Sequence, residues 1–310
     1  MLCKQVSFML AARSQYSAAI ARGIFQSRSI VQSARKLSTG SGSEVELIRH
    51  DGSDKGIATI ALNRPKAKNA LSRSLVSDFR RTLDELRSDA ETRVVILRSV
   101  VPKVFCAGAD LKERATMSPV EVEQFLRSMK VSFRELETLP QPTIAALDGA
   151  TLGGGFELAL CCDLRVAGPQ AMLGLPETSL AIIPGAGGTQ RLTRLVGASR
   201  AKALVFTARR FGPMPALSMG IVNDVASQEV ASDSQDSGYL RALEWAREIL
   251  PNGPIAVRMA KKAIDYAGAV DPVTGLDVEQ LCYAQVIPTQ DRLEGLRAFK
   301  EKRKPVYHGH

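Results

Sequence analysis

Histidine is scarce in this chain, and its scarcity limits the chemistry open to the protein. The three histidines are His50, His308 and His310, which lie at the edges of the part that can fold. A Ser-His-Asp or Cys-His mechanism needs a histidine beside its nucleophile, and metal sites commonly use histidine ligands. Acid–base chemistry in this protein therefore falls to carboxylates.

Cysteine pairs and long apolar runs are also lacking. The five cysteines include no Cys-x-x-Cys pair, which argues against a structural zinc site or a disulfide framework. No apolar run approaches the roughly 20 residues that span a bilayer, so we expect no membrane span. With 310 residues and 45% hydrophobic content, the chain can bury one large core.

Acidic residues are absent before Glu44. Residues 1–43 contain six basic residues and nine serines, and arginines interrupt their apolar stretch, which a secretory signal would not allow. This composition predicts a disordered mitochondrial transit peptide, and Arg35-Lys36-Leu37-Ser38 resembles a matrix-processing site. A disordered basic tail is the alternative. Without these six charges the net charge of +9 becomes +3, so the mature protein is only mildly basic.

Two acids stand where a chain normally buries hydrocarbon. Gly153-Gly154-Gly155 leads into Glu157, and Glu177 follows the apolar Leu173-Gly174-Leu175-Pro176. A glycine-lined helix start leaves N–H groups unpaired and unobstructed, so they can donate to an oxygen that becomes negative during a reaction. The alternative is a simple turn before a helix, with Glu157 complementing the helix dipole and Glu177 solvated in a loop.

Such a site needs a second donor. The segment Phe105-Cys106-Ala107-Gly108-Ala109-Asp110 follows a β-rich run, Val94-Val95-Ile96-Leu97, and ends in small residues. Small residues let a ligand approach the main chain closely. We therefore expect the second N–H donor in this segment.

Strands and helices alternate along the first part of the chain. The predicted strands are Val45–Ile48, Ile57–Leu62, Val94–Arg98, Thr143–Leu147 and Leu164–Ala167. The predicted helices run from Asn69 or Ser72 to Ser88, from Pro119 to Leu139, over Leu158–Cys161 as the continuation of the helix that the glycines start, and from Gln190 to Leu195. This alternation indicates an α/β fold with parallel crossovers, in which the first two strands form a hairpin. From Ala198 the strand signal fades, and the predicted elements are helices: Leu240–Leu250, Ile255–Tyr266, Gly275–Ile287 and Asp291–Lys302.

Five sequence motifs are informative because of their order and spacing. They are Ala107-Gly108-Ala109-Asp110-Leu111, Gly153-Gly154-Gly155-Phe156-Glu157, Cys162-Asp163, Pro176-Glu177 and Pro184-Gly185-Ala186-Gly187-Gly188-Thr189-Gln190-Arg191-Leu192. Together they resemble the enoyl-CoA hydratase (crotonase) family from about Glu46 to Tyr307, close to its mitochondrial enoyl-CoA hydratase and methylglutaconyl-CoA hydratase branch. The resemblance implies a right-handed superhelix of β-β-α turns, with a core over 44–197. It also implies a helical part over 198–310 that covers the active site and assembles homotrimers or homohexamers.

The resemblance also assigns roles to residues. It implies an oxyanion hole from the backbone N–H groups of Ala109 and Gly154, with Glu157 as the base that activates water and Glu177 as the acid. No cofactor or metal is expected, because the coenzyme A thioester of the substrate is itself the electron sink. The contacts to coenzyme A expected from the family are Lys66, Ala107, Asp110, Leu111 and Lys112, with Lys302 reaching in from a neighbouring subunit. For the segment from Gly185 to Gly188 we expect a packed turn.

Several alternatives remain open. Around Phe105–Arg114 and Cys282–Gln285 the chain is especially similar to the methylglutaconyl-CoA hydratase branch, whose substrate carries an extra carboxylate, but the sequence identifies no cation for it. An isomerase or a non-catalytic scaffold is disfavoured, since both glutamates and both oxyanion positions are present.

RNA binding is the alternative from a different class of function. A relative in the same branch binds AU-rich RNA through basic residues at four-residue spacing, where this chain has Arg73, Ser77 and Arg81. The serine and the nearby acids disfavour it, because they leave few contacts to phosphate.

Overall fold

The computed structural model describes residues 43–227 and 236–310, together with the backbone of a short strand at Ala34–Lys36. The predicted transit peptide therefore lies, apart from that strand and Ser43, outside the described residues. No helix of the described residues combines the length and the apolar character needed to cross a membrane.

The described strands and helices follow each other in a regular order. The strands are β1 Ala34–Lys36, β2 Val45–His50, β3 Ile57–Leu62, β4 Val94–Ser99, β5 Val104–Cys106, β6 Thr143–Leu147, β7 Ala150–Leu152, β8 Leu164–Ala167, β9 Met172–Gly174, β10 Arg210–Phe211 and β11 Asp224–Val225. The helices are α1 Arg73–Ser88, α2 Leu111–Arg114, α3 Pro119–Glu137, α4 Gly154–Ala159, α5 Gly188–Val196, α6 Ala198–Phe206, α7 Pro213–Ser218, α8 Ser237–Ile249, α9 Pro254–Ala267, α10 Pro272–Val286 and α11 Gln290–Glu301.

Two sheets organise these elements. From residue 45 onward the larger sheet has the order β2-β3-β4-β6-β8-β11, and the smaller sheet has the order β10-β9-β7-β5. β2 and β3 form the predicted antiparallel hairpin, and every later pairing in the larger sheet is parallel. β4, β6 and β8 are each followed by a strand of the smaller sheet and then by helix, so the predicted β-β-α repeat is confirmed.

Alternation along β4 explains why the larger sheet is covered on both faces. Val95 and Leu97 point into the main core, which also holds the fully buried Phe79, Phe133 and Phe156. Val94 and Ile96 point to the opposite face, where they pack with Ala242, Leu243 and Ala246 of α8. A strand buried on both faces has a continuous apolar sequence, as this one does.

Helix starts follow capping chemistry. Of the two predicted starts for α1, Ser72 is confirmed, because its hydroxyl accepts from the Leu75 N–H. Asn69 instead is buried, and its side-chain amide donates to Ser99 Oγ and to the Phe105 carbonyl. α3 begins with a capping box of Ser118 and Glu121.

Two expectations need correction. The helix expected to start at the glycines and continue over Leu158–Cys161 does start there, at Gly154, but it ends at Ala159, two residues earlier than predicted. Beyond Ala198 the chain still contributes β10 and β11, which extend one sheet each. Both are two residues long, too short to produce a periodic pattern.

Candidate active site

One cavity brings the four predicted catalytic positions together. It has a volume of about 790 Å³, and its lining includes Ala109, Gly154, Glu157 and Glu177. Glu157 lies on α4, and Glu177 begins a short 3₁₀ turn after β9. Residues that are far apart in sequence therefore meet at the smaller sheet, and their catalytic roles stay predictions.

Glycine is required where the chain enters α4. Gly153 has φ +53° and ψ −128°, a conformation that side chains disfavour, and a Cβ there would lie 3.2 Å from Glu177 Oε1. A Cβ on Gly155 would lie 2.5 Å from the Cys106 carbonyl oxygen. The glycine run thus lets the start of α4 pack directly against β5 and lets Glu177 approach the main chain.

Two backbone N–H groups, free of partners among the described residues, can donate hydrogen bonds to an oxygen in the cavity. Gly108 O accepts from Leu71 N, and Asp110 N donates to Leu71 O, so the intervening N–H of Ala109 stays out of this bridge. Neither Ala109 N nor Gly154 N donates a hydrogen bond within residues 43–227 and 236–310. A Cβ placed on Gly154 would lie 3.7 Å from Ala109 N, so the two nitrogens border the same space.

Glu157 is almost fully enclosed, with 2% of its surface exposed. Its Oε1 accepts from Ala186 N at 2.8 Å and from Gly188 N at 2.7 Å. Burial raises the pKa of Glu157, while these two N–H groups act in the opposite direction because they stabilise the ionised carboxylate. Glu157 lies in the first turn of α4, and amides of a distant turn hold its carboxylate in place.

The two N–H groups that hold Glu157 were missed by the sequence analysis. The segment from Gly185 to Gly188 was expected to be a packed turn; it is a turn, but its amides also fix the carboxylate. Gly187 adopts φ +110°, and the N–H groups of the residues on either side of it, Ala186 and Gly188, donate to the same oxygen. The glycine run after Pro184 was the available signal, and its partner lies about thirty residues earlier in the chain.

Glu177 has a different environment. It is half-buried, and its Oε2 is enclosed with no hydrogen-bond partner among the described residues. Burial, with a smaller contribution from the negative charge of Glu157, raises the pKa of Glu177 to about 7. A protonated Glu177 is therefore well populated at neutral pH.

This pKa leads to a pH prediction. If Glu177 must be protonated to deliver a proton, kcat/KM for hydration falls about tenfold per pH unit above about pH 7, since the acid form is lost there. We expect this alkaline limb in the wild type, and we expect Glu177→Gln to lack it. Initial rates with crotonyl-CoA from about pH 5 to about pH 9 measure it. A wild-type profile that stays level across the alkaline range would contradict the assignment.

The predicted coenzyme A contacts line an adjoining groove of about 1010 Å³. Its lining includes all five: Lys66, Ala107, Asp110, Leu111 and Lys112. Ala107, Ala109 and Leu111 border both the groove and the cavity, so the two spaces adjoin. The Asp110 carboxylate is engaged elsewhere, since it caps α2 and pairs with Arg64 at 2.8 Å. Lys302, predicted to act across a subunit boundary, lies at the C-cap of α11.

Arginines on the helix considered for RNA binding are paired with acids. Arg73 pairs with Glu121 at 3.1 Å, and Arg81 pairs with Asp78 at 2.7 Å. Ser77 lies between them and is exposed. Phosphate contacts here would have to compete with these ion pairs, which adds to the case against RNA.

Two cations also line the cavity, and the sequence analysis missed both. They are Arg114, the last residue of α2, and Lys130 in the middle of α3. Arg114 follows Asp110 by about one helical turn, which was a weak signal, and Lys130 gave none. Within the described ranges, no three His, Cys, Asp or Glu residues are grouped so that they could hold a metal ion.

Comparison with known proteins identifies the class to which this fold and site belong. A family model described as enoyl-CoA hydratase/isomerase matches residues 52–310. The chain therefore belongs to the enoyl-CoA hydratase/isomerase family.

Named relatives are close in sequence and similar in length. The chain is 49% identical over 282 residues to probable enoyl-CoA hydratase 2, mitochondrial, of Arabidopsis thaliana, with 90% of this chain and 91% of that protein covered. It is 51% identical over 263 residues to human methylglutaconyl-CoA hydratase, mitochondrial, covering 84% and 77%. The crystal structure of enoyl-CoA hydratase from Bacillus anthracis superposes with a TM-score of 0.80 at 46% identity, covering 86% of this chain and all of that one.

Proposed function

We propose that this protein hydrates 2-enoyl-CoA thioesters to 3-hydroxyacyl-CoA. One observation carries the proposal: two free N–H groups and two glutamates of different environment border a single cavity. Family membership and the hydratase names of the relatives support it.

The first requirement of the reaction is stabilisation of an oxyanion. Attack at Cβ moves electron density onto the thioester oxygen, which gains enolate character. The N–H groups of Ala109 and Gly154 are placed to donate to that oxygen, and one such donor typically lowers the barrier by about 3 to 4 kcal/mol. The groove beside the cavity would hold the coenzyme A portion, so the thioester would sit where the two spaces meet.

The second requirement is movement of two protons. Glu157 takes one proton from a water molecule, whose oxygen forms the bond to Cβ, and Glu177 gives one proton to Cα. Glu157 then carries a proton and Glu177 carries a charge, and exchange between them or with solvent restores the starting state. The amides on Glu157 suit a group that begins ionised, and the unpartnered oxygen of Glu177 suits a group that begins protonated.

We also propose that the protein forms a homo-oligomer and is located in mitochondria. The C-terminal helices expose large apolar side chains, including Phe299 at 86%, Ile264 at 71% and Leu281 at 69%. Surfaces of this kind usually meet other chains, and a homotrimer or homohexamer would cover them. The absence of acidic residues before Glu44 and the mitochondrial names of the relatives support a mitochondrial location. We propose the matrix as that location, and fatty-acid or branched-chain amino-acid breakdown as the role.

A panel of unsaturated acyl-CoA thioesters tests the proposal. The purified mature protein should consume the conjugated enoyl thioester and form a product heavier by one water, as spectrophotometry and mass spectrometry would report. Methylglutaconyl-CoA is the second candidate substrate, because cations line the cavity. Movement of the double bond without addition of water would instead indicate an isomerase and refute the hydratase assignment.

A further inference from the structure

Arg114 lines the cavity and is half-buried, yet it makes no ion pair within residues 43–227 and 236–310. The charge of Glu157 acts on it without direct contact. Its guanidinium lies over the Phe125 ring, whose centroid is 5.8 Å from Cζ. By contrast, two arginines nearby are paired: Arg64 with Glu44 and Asp110, and Arg191 with Glu137.

The charge of the Arg114 guanidinium is not balanced by the apolar side chains that line the same cavity. The lining of the same cavity includes Val122, Leu126 and Met129, whose side chains carry no negative charge. Partial burial of a charge is unfavourable unless a partner compensates it, and here burial lowers the pKa of Arg114. A ligand that brings its own negative charge would supply that partner.

Lys130 extends the positive region from the neighbouring helix. It is exposed, it lines the same cavity, and it makes no ion pair among the described residues. Neither cation donates a hydrogen bond to Glu157 or Glu177, so the glutamates leave both cations available. A guanidinium and an ammonium group that line one cavity are suited to pairing with a carboxylate.

We propose that Arg114 and Lys130 bind a second carboxylate at the far end of the acyl chain, so that the protein prefers 2-enoyl thioesters of dicarboxylic acids. The inference rests on the proposed function, because the thioester must lie at Ala109 and Gly154 for its acyl chain to enter the cavity. The methylglutaconyl-CoA hydratase name of one relative describes a substrate of this class.

An effect of the two cations on the charge of Glu157, in place of carboxylate binding, would give a different experimental result. Lys130 opposes the rise in the pKa of Glu157, and Glu157 in turn raises the pKa of Arg114, so all three groups interact. If the cations acted only by adjusting the charge of Glu157, their removal would impair every substrate to the same degree. A comparison of charged and neutral substrates separates the two roles.

The experiment uses two matched pairs of thioesters. Glutaconyl-CoA and hex-2-enoyl-CoA report turnover, and the saturated glutaryl-CoA and hexanoyl-CoA report binding without chemistry. Arg114→Met and Lys130→Met remove each charge while keeping an apolar chain, and Arg114→Lys keeps the charge. Arg127→Met, an exposed arginine of α3 outside the cavity lining, is the matched control.

We expect Arg114→Met to lower the preference for the dicarboxylic member by about 10- to 100-fold, both in kcat/KM and in dissociation constants. Lys130 is more exposed, so its replacement should have a smaller effect in the same direction. Arg114→Lys should recover part of the preference, and Arg127→Met should not change it.

Two results would overturn the inference. Equal losses for both members of a pair would mean that the cations act through Glu157. Glutaryl-CoA binding no tighter than hexanoyl-CoA binding in the wild type would mean that no carboxylate site exists, even if hydration proceeds. Selective binding of glutaryl-CoA without any turnover would instead support the carboxylate site and count against the proposed function.

Discussion

Replacement of Glu157 by glutamine is expected to lower kcat for crotonyl-CoA hydration by about 10²- to 10⁴-fold. The change removes the base but keeps the size of the side chain. The amide oxygen can still accept from Ala186 N and Gly188 N, so the loop around α5 should keep its position. Steady-state kinetics measure the loss, and a thermal unfolding curve verifies that the fold is retained.

A surface glutamate provides the control for this substitution. Glu123 lies on α3, is exposed and does not line the cavity, so Glu123→Gln should leave kcat within about twofold of the wild type. If Glu157→Gln kept more than a tenth of the wild-type turnover, Glu157 would not be the base, and the water would have to be activated elsewhere.

Gly154→Ala is expected to lower kcat/KM by about 10²- to 10³-fold, the loss typical of a disabled oxyanion donor. The added methyl would lie 3.7 Å from Ala109 N and 3.9 Å from Glu157 Oε2. It would therefore occupy the space where the thioester oxygen must enter between the two N–H groups. Its contact with Leu71 Cδ1, at 2.9 Å, can be relieved by movement of that side chain.

A second variant separates blockage of the oxyanion hole from damage to the fold as the cause of the activity loss in Gly154→Ala. Leu71→Ala combined with Gly154→Ala makes room for the methyl but does not reopen the hole, so its activity should stay as far below that of Leu71→Ala alone as Gly154→Ala is below the wild type. Truncation of the buried Leu71 lowers the stability of both Leu71 variants, which is why Leu71→Ala is the reference. Gly268→Ala, where a Cβ meets nothing within 4 Å, is the matched glycine control. Recovery of activity in the double variant would show that crowding of Leu71, and not the oxyanion hole, caused the loss.

The strands and the carboxylates were the predictable part of this molecule. β3, β6 and β8 begin and end where they were predicted, because strands buried on both faces have a largely apolar sequence. Arg165 of β8 is a buried exception. Ser72 marked the start of α1 through ordinary capping chemistry. Glu157 and Glu177 were conspicuous since acids rarely occur beside glycines and hydrocarbon in a core.

The parts that could not be predicted depend on tertiary placement. The amides of Ala186 and Gly188 matter because a turn folds back onto α4, and nothing local to that turn indicates its acceptor. The sequence does not distinguish Arg114 from other arginines at helix ends. Its place in the cavity depends on how α2 and α3 are arranged in the fold. The two-residue strands β10 and β11 exist only because an established sheet offers them an edge to pair with.

Glu157 and Glu177 are proposed to act as one unit in a single hydration step, Glu157 on the water molecule and Glu177 on Cα. The most direct test is a double-mutant cycle in kcat for crotonyl-CoA hydration, with Glu157→Gln, Glu177→Gln and the two combined. Residues that work as a unit are strongly non-additive, so the double variant should be within about threefold of the slower single variant. A double variant whose loss equals the product of the two single losses would show independent roles and contradict the account.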